Sequence, residues 1–431
     1  MIHLTPQKVL IICYYWPPAG GPGVQRWLKF VTYFSQFGIE PIVYCPAQAH
    51  YPIVDQSLVA NVPVGITVLQ TPIKEPARWA QKLFSRQTKD LSRGIITSGK
   101  KDWVERFLLF VRGHFFIPDA RIGWVKPSVS FLSGYLQEHT DIKTIITTGP
   151  PHSLHLIGSA LKQKLAIKWV ADFRDPWTQI HYHKDLNLSS WAAKKHQRLE
   201  QQVLTMADHI VVTSPLTKTH FKALTQQPIS LVTNGYDPID FPETSSASGH
   251  FDLVHTGTLL AERNPNVLWE ALSELIKNTD FKAKAKVHLV GVVAPSIRSS
   301  IKRYGLEDIV ELHGYVPHQE ALQWVVDAQL LLLVEMNKET VKDIIPGKFF
   351  EYLGASAKTL AIGPEDGVIK ELIESTQSGA YFGYHNVASI KDFIAEEFER
   401  YQNDVRPVKS FAAEYERKAL TQKMAALVKS L

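Results

Sequence analysis

The sequence predicts an α/β protein built from two doubly wound, parallel-sheet domains. Length is the first reason: 431 residues exceed what one hydrophobic core ordinarily serves, so two domains of roughly 200 residues each are expected. Periodicity is the second. Short, wholly apolar runs bounded by turn residues alternate with longer amphipathic stretches, as in βα units whose strands are covered on both faces. The third is the opening: residues 8–15, KVLIICYY, lead into the Pro- and Gly-rich segment 16–25, and then Trp27, Phe30, Val31 and Phe34 recur at helical spacing from Arg26 onward. Strand, Gly-rich turn and amphipathic helix is how a doubly wound unit begins. The expected boundaries are 1–243 for the first domain, 244–249 (TSSASG) for a small polar linker, and 250–405 for the second domain.

Composition bounds the function. The chain is 45% hydrophobic and 21% charged, as expected of a soluble globular protein. Cys13 and Cys45 lie at the ends of apolar runs without zinc-type spacing, so buried thiols in a reducing compartment are expected. The N-terminus lacks the cationic start, apolar core and small-residue site of a secretory signal, and no apolar run reaches the roughly 20 residues that span a bilayer. A cytoplasmic location is expected. Charge is uneven: between Lys74 and Lys126 twelve Lys and Arg face five Asp and Glu, a net +7 against +5 for the whole chain. Within it, residues 78–116 interleave cations with Trp79, Phe84, Trp103, Phe107, Phe110 and Phe115, a pattern that suits an anionic membrane surface and equally suits a core-facing helix. Charge without stacking residues along a basic groove does not make a nucleic-acid site, and no nucleic-acid partner is expected.

A nicotinamide-dinucleotide fingerprint fails at the first turn. Gly21 and Gly23 are followed by Arg26 where a third glycine should stand, and the second strand, 41–45, ends without an acidic ribose ligand. Gly20, Gly21 and Gly23 instead allow close backbone approach to a bound group, or turn strand into helix. Next come PDARIGWVK at 118–126, an amphipathic helix, and a strand at 144–148 leading into Gly149, Pro150, Pro151 and His152. The strand 167–171 ends in DFRDPW, residues 172–177. Charges beyond strand ends sit where open parallel sheets bind ligands, so this is the best polar cluster of the first half. Internal pairing of Arg174 with Asp172 or Asp175 is the structural alternative. A polar helix over 189–206, strands at 209–213 and 229–233, and an Asn234-Gly235 turn complete the domain.

The second domain opens with a strand at 251–256, a turn through Gly257 and Thr258, and a helix over 266–277. Strands follow at 286–290 and 309–312, the latter running into His313, Gly314 and Tyr315, and then a helix over 319–328 and a strand at 330–334. Residues 390–431 are helical in pattern. No Asp-x-Asp pair occurs, and no metal is expected. The most informative stretch is 346–364, PGKFFEYLGASAKTLAIGP. Pro346 and Gly347 break the chain and Lys348 opens a helix, so the first-turn amides and the ammonium together form a pocket for phosphate oxygens. Glu351, one turn on, shares that face, and cation and carboxylate point into one space. An ordinary exposed Lys and Glu pair is the plain alternative.

This stretch resembles the donor-sugar motif of the family 4 glycosyltransferases, retaining enzymes of the GT-B fold, in which two Rossmann-like domains face each other across a cleft. In that family the lysine contacts the diphosphate and the helix Glu binds the ribose hydroxyls, which implies these roles for Lys348 and Glu351. The motif's earlier carboxylate falls on Asp343 and is implied to contact the transferred sugar. Arg263 aligns with the family's phosphate-neutralising lysine and Thr258 with its usual arginine. Tyr315 lies in the base-binding loop, Gly347 in the phosphate turn, and Gly20, Gly21 and Gly23 in the loop that approaches donor and acceptor. PDARIGW, TTGPPHS and DFRDPW, with YYWPPAGGPGVQRW, look like a bacterial branch of the family associated with envelope polysaccharide assembly. Arg174 and Asp175 occupy the place of a His and Asp pair common in the family, His152 is a separate candidate contact, and residues 406–431 correspond to a terminal helix that returns to the first domain.

The resemblance implies transfer of a sugar from a nucleotide diphosphate sugar to a lipid-linked or surface-polysaccharide acceptor. It implies retention of configuration, no metal or other cofactor, and work at the cytoplasmic face of the membrane. Asp175, Arg174, His152, Arg263 and Lys348 are the implied catalytic set. Two alternatives stand beside it: a GT-B sugar-nucleotide epimerase or hydrolase using His152 or Asp175 as acid or base, and a noncatalytic membrane-associated subunit of the same fold.

Overall fold

The computed structural model describes residues 5–73, 75, 113–179, 188–245, 249–338, 342, 344–405 and 412–431. The chain divides into two compact units, Met1–Thr233 with Arg417–Leu431, and Asn234–Glu416.

The first unit contains β1 (Gln7–Ile12), α1 (Pro22–Phe34), β2 (Ile39–Ala47), β3 (Thr67–Pro72), α2 (Ile122–Glu138), β4 (Thr144–Gly149), α3 (Ser153–Lys164), β5 (Lys168–Phe173), α4 (Ser190–Met206), β6 (His209–Val212), α5 (Pro215–Lys222) and β7 (Ile229–Leu231). The strands form one parallel sheet in the order β3-β2-β1-β4-β5-β6-β7. Alternation along β1 explains its unbroken apolar run: Val9 and Ile11 pack with Trp27 and Phe30 on one face, Leu10 and Ile12 with Leu132 and Trp169 on the other. Helix α1 begins earlier than the Arg26 start expected from periodicity. Gly21, at φ +104°, turns the chain and Pro22 occupies the first helical turn, where its missing N–H costs nothing and its fixed φ is already helical. Cys13 and Cys45 are buried free thiols.

The second unit contains β8 (Phe251–Thr256), α6 (Asn266–Leu275), α7 (Thr279–Lys284), β9 (Ala285–Val290), α8 (Pro295–Arg303), β10 (Val310–Gly314), α9 (His318–Asp327), β11 (Leu330–Val334), α10 (Gly347–Gly354), β12 (Lys358–Ile362), α11 (Val368–Thr376), β13 (Gly379–Phe382) and α12 (Val387–Gln402). Its parallel sheet has the order β10-β9-β8-β11-β12-β13. Leu330, Leu332 and Val334 feed one core and Leu331 and Leu333 the other.

The boundary between the units falls at Thr233 and Asn234, ahead of the 244–249 tract. Residues after it are held within the second unit: Tyr236 N donates to Tyr415 O at 3.1 Å, and a Cβ on Gly354 would lie 2.4 Å from the Phe241 ring. Ser245 donates through both its amide and its hydroxyl to Asp327, each at 2.8 Å. The helical pattern over 390–431 resolves into α12 and a separate α13 (Arg417–Lys429). Asp404, at φ +53°, lies in the left-handed region just past α12, where a helix cannot continue. Helix α13 places Leu420, Met424 and Val428 in the same cluster as Trp27 and Phe34 of the first unit. No described helix is long and apolar enough to cross a membrane. Of the cation-and-aromatic segment 78–116, residues 78–112 lie outside the described residues, and Phe115 is exposed.

Candidate functional site

In doubly wound sheets, ligands collect beyond the carboxyl ends of the strands where the strand order reverses. In the second unit that point lies between β8 and β11, and Gly257 and Glu335 are the residues that follow these strands. Gly257 has φ +93°, and a Cβ there would come within 3.2 Å of Lys348 Nζ. Backbone conformation and close approach both call for glycine.

Lys348 lies in the first turn of α10, whose N-terminus no side chain caps. Its ammonium donates to Thr256 O at 2.6 Å and to His255 Nε2 at 3.3 Å. The other ring nitrogen of His255, Nδ1, is 2.9 Å from Leu332 O. A carbonyl can only accept, so Nδ1 carries the proton and Nε2 offers its lone pair to Lys348. Burial holds His255 well below the ordinary histidine range, with Lys348 reinforcing the fall, so both acceptors of the ammonium are uncharged. Burial likewise pushes Lys348 down to about 7; the Arg263 guanidinium adds to the fall and Glu351 opposes it.

Arg263 closes the short turn Ala261–Arg263. Burial lowers it, against the pull of Glu335, Tyr384 and Glu262, and its buried Nε has no partner among the described residues. Glu335 is buried and accepts from Tyr381 Oη at 3.0 Å, while Tyr384 Oη donates to its main-chain oxygen at 2.5 Å. Burial pushes Glu335 up to about 7, with Tyr381 and Arg263 pulling it back. Two desolvated cations, one held by neutral acceptors and one with an unused N–H, form a place where an anion is stabilised.

Glu351 stands one turn beyond Lys348 but does not pair with it; it accepts from His318 Nε2 at 2.9 Å. Gly347 is the half-buried first residue of α10, Thr258 is exposed beside Gly257, and Tyr315 is an exposed ring just past β10. Asp343 lies outside the described residues. The structure therefore brings Arg263 and Glu351 each within electrostatic reach of Lys348.

In the first unit the reversal lies between β1 and β4. Arg174, just past β5, turns back over it: Nε donates to Gly149 O at 3.4 Å and Nη2 donates to Pro150 O. A Cβ on Gly23 would fall 1.6 Å from Arg174 Nη1, so a glycine in the first turn of α1 makes room for the guanidinium. Gly21 supplies the left-handed turn, and the Gly20 amide donates to Ile53 O at 3.0 Å. His152 is buried with its ring stacked on Trp177, centroids 4.9 Å apart at 6°, and Asp175 is half-buried between them in sequence. Asp172 belongs elsewhere: it accepts from Arg26 Nη2 (3.0 Å), Trp27 Nε1 (3.0 Å) and Thr148 Oγ1 (2.8 Å). Gly23, Arg174 and His152 thus gather at one strand end, and the Arg174–Asp172 pairing is replaced by a buried Arg26–Asp172 pair.

Sequence reasoning passed over His255, His318, Glu335, Tyr381 and Tyr384. Glu335 carried a usable signal, since it directly follows the apolar run LLLLV and so obeys the strand-end rule applied to DFRDPW. His318 carried none, because its partner Glu351 is brought to it by packing of α9 against α10.

No protein-family model and no curated protein matches the chain. Solved structures do. Sucrose-phosphate synthase from Thermosynechococcus elongatus is 13% identical, covering 98% of this chain and 98% of its own, with a TM-score of 0.57. WaaG, a glycosyltransferase involved in lipopolysaccharide biosynthesis, is 11% identical over 98% and 100%, with a TM-score of 0.53. A Listeria monocytogenes protein assigned as a UDP-N-acetylglucosamine 2-epimerase is 10% identical over 99% and 96%, with a TM-score of 0.58. The chain has the GT-B fold. Its Rossmann-like N-terminal unit carries Gly23, His152 and Arg174 at the strand reversal, and its C-terminal unit carries Lys348, Arg263, Glu335 and Glu351. At these identities the likeness shows the GT-B fold alone, and transferase and epimerase both use it, so the reaction must be argued from the side chains.

Proposed function

We propose that the chain transfers a sugar from a nucleotide diphosphate sugar to a hydroxyl of a lipid-linked acceptor or a growing surface glycan, as a family 4 glycosyltransferase of the envelope-polysaccharide branch. The observation that carries this reading is Lys348, an enclosed ammonium whose acceptors are a carbonyl and a neutral imidazole, with Arg263 beside it. A diphosphate is the ligand whose charge such a pair compensates. Arg263, Lys348 and the first-turn amides of α10, with Gly347 in the turn, stabilise the negative charge that grows on the departing diphosphate, and no metal is needed for that step. Glu351 takes the ribose hydroxyls, Tyr315 and Thr258 flank the nucleoside and phosphates, and Asp343 contacts the transferred sugar.

Acceptor recognition falls to the first unit, through the Gly20, Gly21 and Gly23 loop with His152, Arg174 and Asp175. The bond from the anomeric carbon to the phosphate oxygen breaks and one to the acceptor oxygen forms on the same face; the acceptor's proton passes to the departing phosphate oxygen. In this reading the protein works as a peripheral protein at the cytoplasmic face of the membrane.

A thermal-shift panel of UDP, GDP, ADP, CMP and dTDP sugars tests the donor site. One nucleotide is expected to raise the melting temperature of wild type and to lose that effect in Lys348→Ala and Glu351→Ala; absence of any response at millimolar ligand defeats the reading. The epimerase of the same fold supports a second reading, a sugar-nucleotide epimerase or hydrolase with His152 or Asp175 as acid or base. Incubation with donor alone decides between them: conversion without an acceptor favours the second reading, and conversion only with a glycan acceptor the first.

A further inference from the structure

In the second unit's sheet, His288 of β9 and Glu311 and His313 of β10 converge. Glu311 is the register partner of His288, and His313 sits at the irregularity between Leu312 and Gly314 where β10 shifts register against β9; the distances among the three side chains show that they meet. His288 Nδ1 is 3.0 Å from His313 Nε2 and 3.6 Å from Glu311 Oε2, and the last two atoms are 4.0 Å apart. Trp324 of α9 covers both rings, with centroid distances of 4.6 and 4.4 Å.

Two imidazole nitrogens and a carboxylate oxygen within 4.8 Å of one another have the composition of a three-ligand metal site. Around a tetrahedral ion with bonds of about 2.0–2.1 Å, neighbouring donors stand roughly 3.3 Å apart. The two nitrogens are already near that separation. Glu311 is the exposed member, and rotation of its side chain closes the remaining distances.

The surroundings point the same way. The second nitrogen of His288, Nε2, lies 3.1 Å from Oδ1 of the buried Asp252. A carboxylate accepts the Nε2 proton and leaves Nδ1 as a lone pair facing the other donors, the support that ligating histidines receive. Lys286 engages Glu311 Oε1 at 3.2 Å, so Oε2 is the oxygen turned toward the rings.

We propose that His288 Nδ1, His313 Nε2 and Glu311 Oε2 bind one divalent late first-row metal ion, zinc by preference, with Asp252 orienting His288 and the fourth position open to water. Two imidazoles and one carboxylate suit zinc better than the oxygen-preferring magnesium or calcium. The half-exposed Glu311 and His313 leave the outer side of the ion toward solvent. None of Lys348, Arg263 and Glu351 is among its ligands. With no metal, the same groups form a hydrogen-bonded chain in which His313 donates to His288 and His288 to Asp252.

The test is titration of the EDTA-stripped protein with Co²⁺, read by its visible d–d absorption. One equivalent is expected to bind and to be displaced by Zn²⁺. Glu311→Ala and His313→Ala should each abolish the band, and Asp252→Asn should weaken affinity about ten- to hundredfold. His385→Ala, at an exposed histidine outside the cluster, should leave it unchanged. If His313→Ala does not fold, Glu311→Gln at the exposed position serves the same comparison. Absence of the band in wild type, its persistence in the Glu311 and His313 variants, or its equal loss in His385→Ala overturns the proposal in favour of the hydrogen-bonded chain.

Discussion

Lys348 Nζ donates a 2.6 Å hydrogen bond to the carbonyl oxygen of Thr256, the residue that ends β8. The bond holds an ammonium over the carboxyl end of the sheet where the strand order reverses, and it does so without a carboxylate partner. The charge is therefore positioned but incompletely compensated, which separates its contribution to binding from its contribution to stability.

Lys348→Met keeps the length of the side chain and removes the charge. Affinity for the nucleotide sugar should fall about ten- to hundredfold, as for a charge-assisted hydrogen bond worth about 1.5–3 kcal/mol. The ligand-free protein should melt at the same temperature or higher, because a desolvated ammonium with neutral partners opposes folding. Titration calorimetry and scanning fluorimetry check the two halves, and a lower ligand-free melting temperature would make Lys348 a structural residue instead.

Donor binding should weaken with rising pH. In the free protein Lys348 is lowered to about 7, whereas a bound diphosphate requires the ammonium. Above about pH 7 binding must therefore take up a proton, and affinity should decline toward about tenfold per pH unit. Lys348→Arg, which does not titrate in this range, should flatten the profile measured by calorimetry. The same shift has a stability consequence of opposite sign. Between about 7 and the ordinary lysine value the unfolded chain binds more protons than the folded one, so this residue's contribution to stability rises with pH.

Glu335 should act on stability in the adjoining window. Its folded carboxyl is raised to about 7, so from the ordinary carboxylate range up to that point the folded state holds the extra proton. Its contribution is present at low pH and is lost as pH rises through about 7. Glu335→Gln retains an acceptor for Tyr381 and cannot ionise. Its melting temperature should vary less between about pH 5 and 8 and should exceed that of wild type at the upper end, as a fluorimetric pH series would show.

The Glu351 and His318 pair should matter for ligand more than for folding. Both side chains are partly exposed, and such a pair contributes under about 1 kcal/mol. Glu351→Ala and His318→Ala should leave the melting temperature nearly unchanged. Glu351→Ala should lower nucleotide affinity about tenfold or more through lost hydrogen bonds to a charged group, with a smaller loss in His318→Ala. Equal affinities for all three proteins would remove Glu351 from the site.

Asp172 should behave in the opposite way. Buried and bonded to Arg26, Trp27 and Thr148, it compensates a guanidinium that also donates to Val232 O and Thr233 O. Asp172→Ala should cost about 3–5 kcal/mol by leaving Arg26 buried and unpaired. Denaturation followed in the first unit's tryptophan signal measures it, with nucleotide affinity of the folded fraction unchanged.

Strands covered on both faces were the most legible features of the chain. Residues 330–334, the unbroken apolar run LLLLV, coincide with β11, and 251–256 (FDLVHT) with β8 even though Asp252, His255 and Thr256 interrupt its apolar residues. The start of α1 was less legible: Pro22 reads as a loop residue until it is seen to occupy a first helical turn. Lys348 and Glu351 were visible because they lie within one turn of one helix. The readings of Arg174 were underdetermined, since its neighbours Asp172 and Asp175 in sequence say nothing of Arg26, which takes Asp172 from another element.

The sequence by itself determined the βα elements, the two sheets they imply, and the helix start that presents Lys348, because period, turn residues and first-turn chemistry act over a few neighbouring positions. Tertiary structure decided the company Lys348 keeps. His255 is 93 residues away in the chain, and Thr256, Arg263 and Glu335 come from other segments, so their meeting depends on which strands lie side by side. Strand order is set by the packing of whole helices across both faces of a sheet, and no local period encodes it.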